Sequence, residues 1–260
     1  MGRGADNLTF WEHLDELRNT LMRIIGVALF FGIAAFCCKE PLFDVILAPS
    51  NSDFVTYKLL NKVAALANAF PSNFSIDLIN TALAQQFIIH MKAALYAGFF
   101  CALPYVIYAL LRFISPALGI SQKRYTYAIV GSGYVMFLVG VLLCYFLIFP
   151  LTFRFLGTYQ VDSAVVNMIA LDSYISTFMG MCLMLGIVCE LPVLSWLLAK
   201  IGVLKSEFMR NYRKHAIVAI LMVAAVITPT SDIFTLTLVS LPMWLLYEIS
   251  IGVVAHTSKL

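Results

Sequence analysis

Two carboxylates stand out in a chain that is otherwise dominated by apolar residues. Glu190 lies within a long apolar run, where inserting a charged side chain costs about 3 kcal/mol. We interpret it as a proton-linked group, a polar contact site or a point where water enters, and the alternative is an acid near a span end that hydrogen bonds cap. Glu16 lies on the polar side of a short charged helix, residues 10–27, which runs into apolar residues and would place this carboxylate at the membrane surface.

The composition identifies the class of protein that must hold these carboxylates. The chain has 260 residues, of which 62% are hydrophobic and 12% charged, and its mean hydropathy is +0.91. Soluble domains are about 45–50% apolar and about 25% charged, so the sequence indicates a polytopic membrane protein. The apolar runs are continuous, whereas a membrane β-barrel needs alternating segments of about ten residues. The predicted fold class is therefore all-α.

We predict one membrane domain, residues 1–260, with six transmembrane helices. Spans five and six are expected to be short, and the 13 residues of span five reach only about 20 Å of the roughly 30 Å that hydrocarbon requires. Residues 56–70 are predicted to form a short helix in the first long connection, and residues 77–86 a helix that leads into span two. The predicted spans are about 24–38, 87–111, 125–149, 174–199, 216–228 and 233–254.

The distribution of basic residues predicts the orientation. Of the 17 Lys and Arg residues, 12 lie at span ends on one side and the remaining 5 on the other. Because cytoplasmic connections carry the excess of Lys and Arg, we predict that both termini and the basic loop 200–215 face the cytoplasm. The opening residues are too long and too acidic for a cleavable signal peptide. We expect no transit peptide either, which favours the bacterial cytoplasmic (inner) membrane.

Several function classes are disfavoured by the residues present. The net charge of +3 comes from cations at span ends and does not indicate a nucleic-acid partner. The six cysteines form no CxxC pair, so we predict small buried residues, no disulfide, no metal site and no cofactor. The sequence lacks HExxH, GxGD and GxxxxGK[ST] patterns, and Ser132 between two glycines has no histidine in a later span to pair with. We therefore predict that the protein is not an enzyme.

The remaining polar residues of the spans have simpler explanations. Asp232 is predicted to cap the N-terminus of span six, and Glu248 lies near the cytoplasmic end of that span. His90 and Lys92, at the outer end of span two, are predicted to extend toward water. Span three carries glycines that would let helices approach closely, namely Gly131, Gly133 and Gly140.

Six short motifs occur along the chain in an order and spacing that match a known family. They are HLDELR at 13–18, FISPAL at 113–118, FP at 149–150, GIVCELPV at 186–193, ITPTSD at 227–232 and SLPMWLLYEI at 240–249. Over about residues 10–254 the chain therefore resembles the TatC family, the multispanning receptor subunit of the twin-arginine protein translocase.

The resemblance implies a function and a set of partners. Proteins of this family have six spans and move folded proteins out of the cytoplasm, and they draw on the proton-motive force. They work with single-span membrane proteins of the TatA and TatB type. The implied partners are thus TatA/TatB-like proteins, twin-arginine signal peptides of folded cargo, membrane lipid, and further copies of the same chain in a homo-oligomeric receptor complex.

The resemblance also assigns roles to individual residues. Glu16 matches the first acid of the signal-peptide site, and a carboxylate pairs with a guanidinium through two parallel bonds that Lys cannot form. Arg18 in the same motif and Phe113 in FISPAL are assigned to this site as well. Glu190 matches the intramembrane acid of the family, and Pro49 matches a loop residue beside the concave face.

The second acid of the signal-peptide site is where this sequence departs from the family. Gln122 stands at the position of the usual glutamate, and a neutral amide contributes no charge attraction. Either Asp15 or Glu12 supplies the missing charge, or the second arginine is held less tightly.

The partner-docking surface is the second place of departure. The family's polar cluster on spans five and six maps near Thr228, and we assign Glu248 to the same surface, but a family Gln is Leu236 here. The docking role of these residues is therefore the less specific part of the prediction.

A function of a different class stays open at this point, a proton-coupled small-solute transporter that uses Glu190. It predicts solute-dependent proton flux from the protein alone. The charged N-terminal helix, and the lack of the internal repeat that marks many transporters, favour the translocase.

Overall fold

The computed structural model describes residues 10–66, 76–118, 123–160, 162, 167–228 and 232–257, and this part of the chain is almost entirely helical. Its elements are α1 (Phe10–Cys37), α2 (Lys39–Leu47), a 3-10 turn (Ala48–Ser50), α3 (Val55–Leu66), β1 (Leu78–Ile79), α4 (Gln85–Leu118), α5 (Lys123–Leu143), a π-helical segment (Cys144–Ile148), α6 (Phe149–Thr158), β2 (Ile169–Ala170), α7 (Leu171–Val188), α8 (Leu191–Lys200), α9 (Ser206–Asn211), α10 (Arg213–Ile227) and α11 (Ile233–Thr257).

The long helices confirm the predicted all-α membrane fold. Within the described residues, five helical segments are long and apolar enough to cross a membrane. The remaining predicted span is α10, which has only 15 residues. By contrast, α11 has 25 residues and is long enough to cross, which corrects the expectation of a short sixth span. The five segments are Leu14–Cys37, Gln85–Phe113, Tyr127–Thr158, Leu171–Lys200 and Ile233–Thr257.

The helix predicted over residues 77–86 is wrong. Leu78–Ile79 forms β1 instead, because it pairs in parallel with Ile169–Ala170 of β2 and so joins the two long outer connections. Helix α4 begins only at Gln85, whose side-chain carbonyl accepts hydrogen bonds from the backbone N–H of Thr81 (3.2 Å) and of Ala82 (3.1 Å). The predicted short helix of the first connection is present as α3, and residues 67–70 lie outside the described part.

Glycines let α1 and α4 come into backbone contact. A Cβ at Gly98 would lie 2.4 Å from the backbone nitrogen of Gly32 and 2.6 Å from the carbonyl oxygen of Ala28. No side chain fits in that space, so the two helices touch through their backbones. In the third span the same role falls to Gly140, which packs on α7, whereas Gly131 has nothing within 4 Å and is not a packing glycine.

Tyrosines complete the hydrogen bonds of an outer cap, formed by α2, α3, α6 and the two strands. The last carbonyls of α2 have no partners within the helix, and hydroxyls from distant elements reach them. Tyr145 donates to the Val45 carbonyl and Tyr174 to the Ile46 carbonyl, each at 3.0 Å. The buried Tyr57 lies within hydrogen-bond distance of two carbonyls, those of Pro49 (2.9 Å) and Pro150 (3.1 Å).

Pro150 explains a further bond of the cap. Proline has no N–H for the carbonyl four residues earlier, which is that of Phe146 in the π-helical segment. The Thr56 hydroxyl of α3 donates to this carbonyl instead. Burial raises the pKa of the adjacent Tyr57 hydroxyl, and the positive charge of Arg154 opposes this only in part. Tyr57 therefore remains a proton donor to the cap.

Of the two polar residues at the outer end of span two, only His90 differs from its prediction. His90 does not extend toward water but is buried and stacked on Phe36, with ring centroids 4.0 Å apart. Lys92 forms a 2.8 Å ion pair with Asp172 at the start of α7. The prediction that the cysteines are buried is confirmed for three of the six. Those three are Cys144, Cys182 and Cys189, whereas the exposed ones are Cys37, Cys38 and Cys101. All six are free thiols.

Replacing Gly98 with Ala should separate α1 from α4. The added methyl group has no room, and overpacking of this kind costs about 1–3 kcal/mol. We expect a lower midpoint of thermal unfolding in detergent for Gly98→Ala, measured by circular dichroism. Gly26→Ala on α1 is the matched control, because nothing lies within 4 Å of its Cβ position. Equal midpoints for both variants would contradict the backbone contact.

Tyr57→Phe should loosen the outer cap. The change leaves the buried carbonyls of Pro49 and Pro150 without this donor, and an unsatisfied buried group costs about 1–3 kcal/mol. We expect a lower free energy of unfolding and faster proteolysis of the outer connections. Tyr159→Phe serves as the control, since Tyr159 is 63% exposed. A cap that resists protease as well as the parent would refute the role of this hydroxyl.

Candidate functional site

The first turns of α1 carry the charged residues that the sequence assigns to the cytoplasmic surface. Asp15 and Arg18 are exposed, and Glu16 between them is half-buried. Trp11, one turn earlier, is 74% exposed, as expected for an aromatic side chain at a membrane interface. This helix end therefore offers two neighbouring carboxylates, of which one is partly withdrawn from water.

Phe113 lies at the level of Glu16 on the neighbouring helix. Helices α1 and α4 run antiparallel, because Gly32 faces Gly98 and Phe36 faces His90. Glu16 precedes Gly32 by 16 residues and Phe113 follows Gly98 by 15 residues. At 1.5 Å per residue, both lie about 22–24 Å from the crossing. The fold thus brings two of the predicted binding residues to the same height, at the end of the helices that the sequence assigns to the cytoplasmic side.

Other residues assigned to this surface fall outside the described part of the chain. These are Gln122 and the side chain of Glu12. Whether Asp15 or Glu12 replaces the missing second acid therefore stays a prediction, and so does the effect of the neutral amide.

Glu190 lies at a break in the fourth span. Proline at position 192 has no N–H for the carbonyl of Val188, and the helix accordingly stops at Val188 and restarts at Leu191. The backbone of Glu190 is satisfied, since its N–H donates to Ile187 (3.1 Å) and its carbonyl accepts from Leu194 (2.9 Å). At this break Glu190 lies between the two helices, and its side chain can project away from them.

The carboxylate of Glu190 lies against a glycine of the third span. A Cβ at Gly133 would be 3.0 Å from one carboxylate oxygen, Oε2, and 3.1 Å from the side chain of Ile107 on α4. The other oxygen, Oε1, is buried and has no hydrogen-bond partner among the described residues. A buried carboxylate oxygen without a partner is costly, which makes Glu190 a candidate for binding a proton, a water molecule or a polar ligand.

The two predicted docking residues do not come together. Thr228 is buried at the end of α10, where its hydroxyl donates to the Ala224 carbonyl at 3.0 Å. Glu248 lies on α11 and forms a 2.6 Å ion pair with Arg213 at the opposite end of α10. The length of α10 therefore separates them. Asp232 caps α11 as predicted, accepting a bond from the backbone N–H of Thr235 at 2.7 Å.

Pro49 provides a hydrogen-bond acceptor for Tyr57. Its side chain is buried, and its carbonyl accepts the hydrogen bond from Tyr57 in the outer cap. Sequence reasoning missed Tyr57 itself, because a tyrosine in an amphipathic helix is typical of any membrane interface. It also missed that Gly133 faces Glu190, since no pattern in one sequence indicates which glycine lies opposite which acid.

Comparisons with known proteins place these features in context. The family model described as "Sec-independent protein translocase protein (TatC)" matches residues 12–242. The chain is similar to the Sec-independent protein translocase protein TatC of Blattabacterium sp. subsp. Periplaneta americana, with 32% identity covering 100% of this chain and 99% of that protein. It is 33% identical to the TatC protein of Desulforapulum autotrophicum, over 96% of this chain and 86% of that one.

The fold is likewise similar to solved structures. A crystal structure of the twin arginine translocase receptor TatC superposes with a TM-score of 0.76 and 29% sequence identity, covering 95% of this chain and all of that one. A second crystal structure of that receptor, in the detergent DDM, gives a TM-score of 0.77 with 30% identity, covering 93% of this chain and 98% of that one.

Proposed function

Because the chain belongs to the TatC family of Sec-independent protein translocase proteins, we propose that it is the signal-peptide receptor of a twin-arginine translocase in the bacterial cytoplasmic membrane. The family role is protein transport rather than catalysis. In this proposal the cytoplasmic end of α1 and α4 binds the paired arginines of a signal peptide. The observation that carries it is the half-buried Glu16 at the level of Phe113.

The chemistry of this surface suits arginine. A carboxylate that is partly withdrawn from water attracts a cation more strongly than one in bulk solvent, and its two oxygens match the fork of a guanidinium. An aromatic ring such as that of Phe113 offers a face on which the planar guanidinium can stack. Asp15, exposed beside Glu16, is our candidate for the second arginine.

Glu190 is the candidate for a later step of transport. Its carboxylate lies inside a membrane span, at the break before α8, and one of its oxygens has no hydrogen-bond partner within the part of the chain that the structure describes. Such a group can contact polar backbone of a passing peptide or bind a proton. We propose that it acts when the signal peptide has entered between the helices, in the step that draws on the proton-motive force.

Single-span partners of the TatA and TatB type would dock along α10. This helix presents an exposed apolar stripe at helical spacing, Val218, Met222 and Val226, which are 56%, 61% and 77% exposed. The stripe fits an apolar partner helix. Thr228 lies at one end of it, and the ion pair of Arg213 with Glu248 lies at the other.

Glu16→Gln should weaken binding of a twin-arginine signal peptide about tenfold or more, since a hydrogen bond to a charged group is worth about 1.5–3 kcal/mol. The measurement is photocrosslinking in inverted membrane vesicles from probes beside Glu16 and Gln122. A twin-lysine peptide should crosslink poorly at both positions.

Glu207→Gln is the control for this experiment, because Glu207 is an exposed acid on α9 in the cytoplasmic loop. Crosslinks at Glu16 alone would assign the second arginine to another residue. If neither the twin-lysine peptide nor Glu16→Gln reduces the crosslinks, the proposed site is refuted. A proton-coupled transporter based on Glu190 would then be the favoured function.

Gly133→Ala should impair transport without affecting signal-peptide binding. The added methyl group would meet the Glu190 carboxylate at 3.0 Å and Ile107 at 3.1 Å, so the carboxylate must shift. We expect slower export of a folded cargo by vesicles, with the crosslink at Glu16 intact. Gly131→Ala, two residues away in open space, should export normally. If Gly133→Ala and Glu190→Ala both export at the parent rate, the proposed role of Glu190 is wrong.

A further inference from the structure

A pocket of about 410 Å³ lies beside the first turns of α4, where α2 and the start of α7 approach it. The sequence predicts that this end of the spans faces away from the cytoplasm. The volume lies in the range of small-molecule sites, about 300–1,000 Å³. The lining residues are Lys39 and Phe43 of α2, Gln86, Phe87, Ile89 and His90 of α4, and Leu171 of α7.

His90 is the buried polar residue of this pocket. Only 9% of its surface is exposed, and its Nε2 atom has no hydrogen-bond partner among the described residues. The stacking on Phe36 at 4.0 Å and the edge contact with Phe43 at 5.6 Å hold the plane of the ring, but they satisfy neither ring nitrogen. Because an unpaired buried polar group is costly, His90 would favour a ligand that offers its ring a hydrogen bond.

The ring of His90 can adapt to such a ligand without losing its packing. A half-turn about the Cβ–Cγ bond keeps the ring in the same plane, and so keeps the stacking on Phe36, while it exchanges the positions of the nitrogens with those of the carbons. Within the described residues no hydrogen bond favours either orientation. An acceptor in the pocket would select the orientation in which a ring N–H points toward it.

One wall of the pocket continues into a surface that faces lipid. Helix α4 belongs to a segment that is long and apolar enough to cross a membrane. Phe87 lines the pocket and is 61% exposed, and the adjacent Ile88 and Met91 are exposed as well. An acyl chain that lies along these side chains can therefore pass Phe87 into the pocket.

We propose that this pocket binds one phospholipid of the outer leaflet, with the glycerol and phosphate part beside His90 and Gln86 and an acyl chain along Phe87. Phosphate and ester oxygens are hydrogen-bond acceptors, which suit the N–H groups of an imidazole and an amide. Ile89 and Leu171 form an apolar floor that suits the upper methylenes of the chain. The inference goes beyond the proposed receptor function and does not depend on it.

The assignment does not rest on charge. Lys39 lines the pocket, but the neighbouring Glu40 carries the opposite charge on the same exposed turn of α2. The recognised features are acceptor oxygens and an acyl chain, which zwitterionic and anionic phospholipids share. We therefore expect phosphatidylcholine and phosphatidylglycerol to bind about equally well.

Other occupants fit the pocket less well. A buried water molecule typically makes about three hydrogen bonds, whereas four of the seven lining residues are apolar. A soluble phosphate would match the N–H groups but would leave the apolar walls uncovered. A phospholipid matches both parts of the lining.

His90 itself reports on the pocket, which permits a direct test. The chain has four histidines, so protein labelled with ¹⁵N-histidine gives few side-chain NMR signals, and those of His90 are identified by their absence in His90→Phe. Phosphatidylcholine, titrated into maltoside micelles of the phospholipid-free protein, should shift the signals of the His90 ring nitrogens. The exposed His215 on α10 is the internal control, and its signals should stay in place.

A variant that fills the pocket tests the location of the lipid without changing His90. Gln86→Trp places a larger side chain in the lining, so the lipid concentration that gives half of the shift should rise about tenfold. Leu83→Trp is the matched control, because Leu83 is fully exposed and is not among the lining residues. It should respond to lipid as the parent does, and unfolding midpoints check that each variant is folded.

Unshifted His90 signals in the presence of phosphatidylcholine would overturn the proposal, and so would equal responses of Gln86→Trp and the parent protein. Glycerol phosphate tests the source of the ligand. It lacks acyl chains and should leave the signals in place, whereas a shift at millimolar glycerol phosphate would identify a soluble phosphate as the ligand and refute the lipid assignment.

Discussion

Backbone groups that are withdrawn from water must find their hydrogen-bond partners within the protein, and the described irregular stretches at the outer end of this protein are subject to that constraint. The structure meets this constraint with side chains from elsewhere in the chain. Thr56 replaces the donor that Pro150 lacks, and tyrosines of α3, the π-helical segment and α7 reach the carbonyls at and after the end of α2. The outer cap therefore supplies hydrogen-bond donors to backbone carbonyls, and it holds the spans together at that end.

The two ends of the molecule are built differently. The large apolar cluster reaches from the outer cap into the middle of the spans, with Phe149 packed between Phe153, Tyr174 and Phe178 at centroid distances of 4.9–6.0 Å. At the opposite end, which the sequence predicts to face the cytoplasm, the described buried cluster consists of three residues, Met209, Ile251 and Val254. The proposed peptide site lies at this second end, where less apolar surface is buried.

Much of this architecture follows from sequence patterns, and the exceptions have physical causes. Hydrophobic runs predicted the positions of the spans, because the requirement for apolar side chains in lipid acts on each segment separately. The missed features depend on pairs of distant residues. Leu78 became a strand because of Ile169, His90 is buried because Phe36 stacks on it, and α11 is longer than its apolar run because its last turns pack on α8 and α9. At the candidate site, the charge of Glu190 was evident but its glycine neighbour was not.

The parallel pairing of β1 with β2 sets an order for assembly in the membrane. Some 90 residues separate Leu78 from Ile169, and spans two and three lie between them. During synthesis the first strand stays unpaired until the second connection has reached the same side of the membrane. Tyr174 follows only five residues after Ile169, so the strand pairing and its bond to Ile46 become available almost together. The strand pairing, and with it this part of the outer cap, can therefore form only after both spans between the two strands have been made.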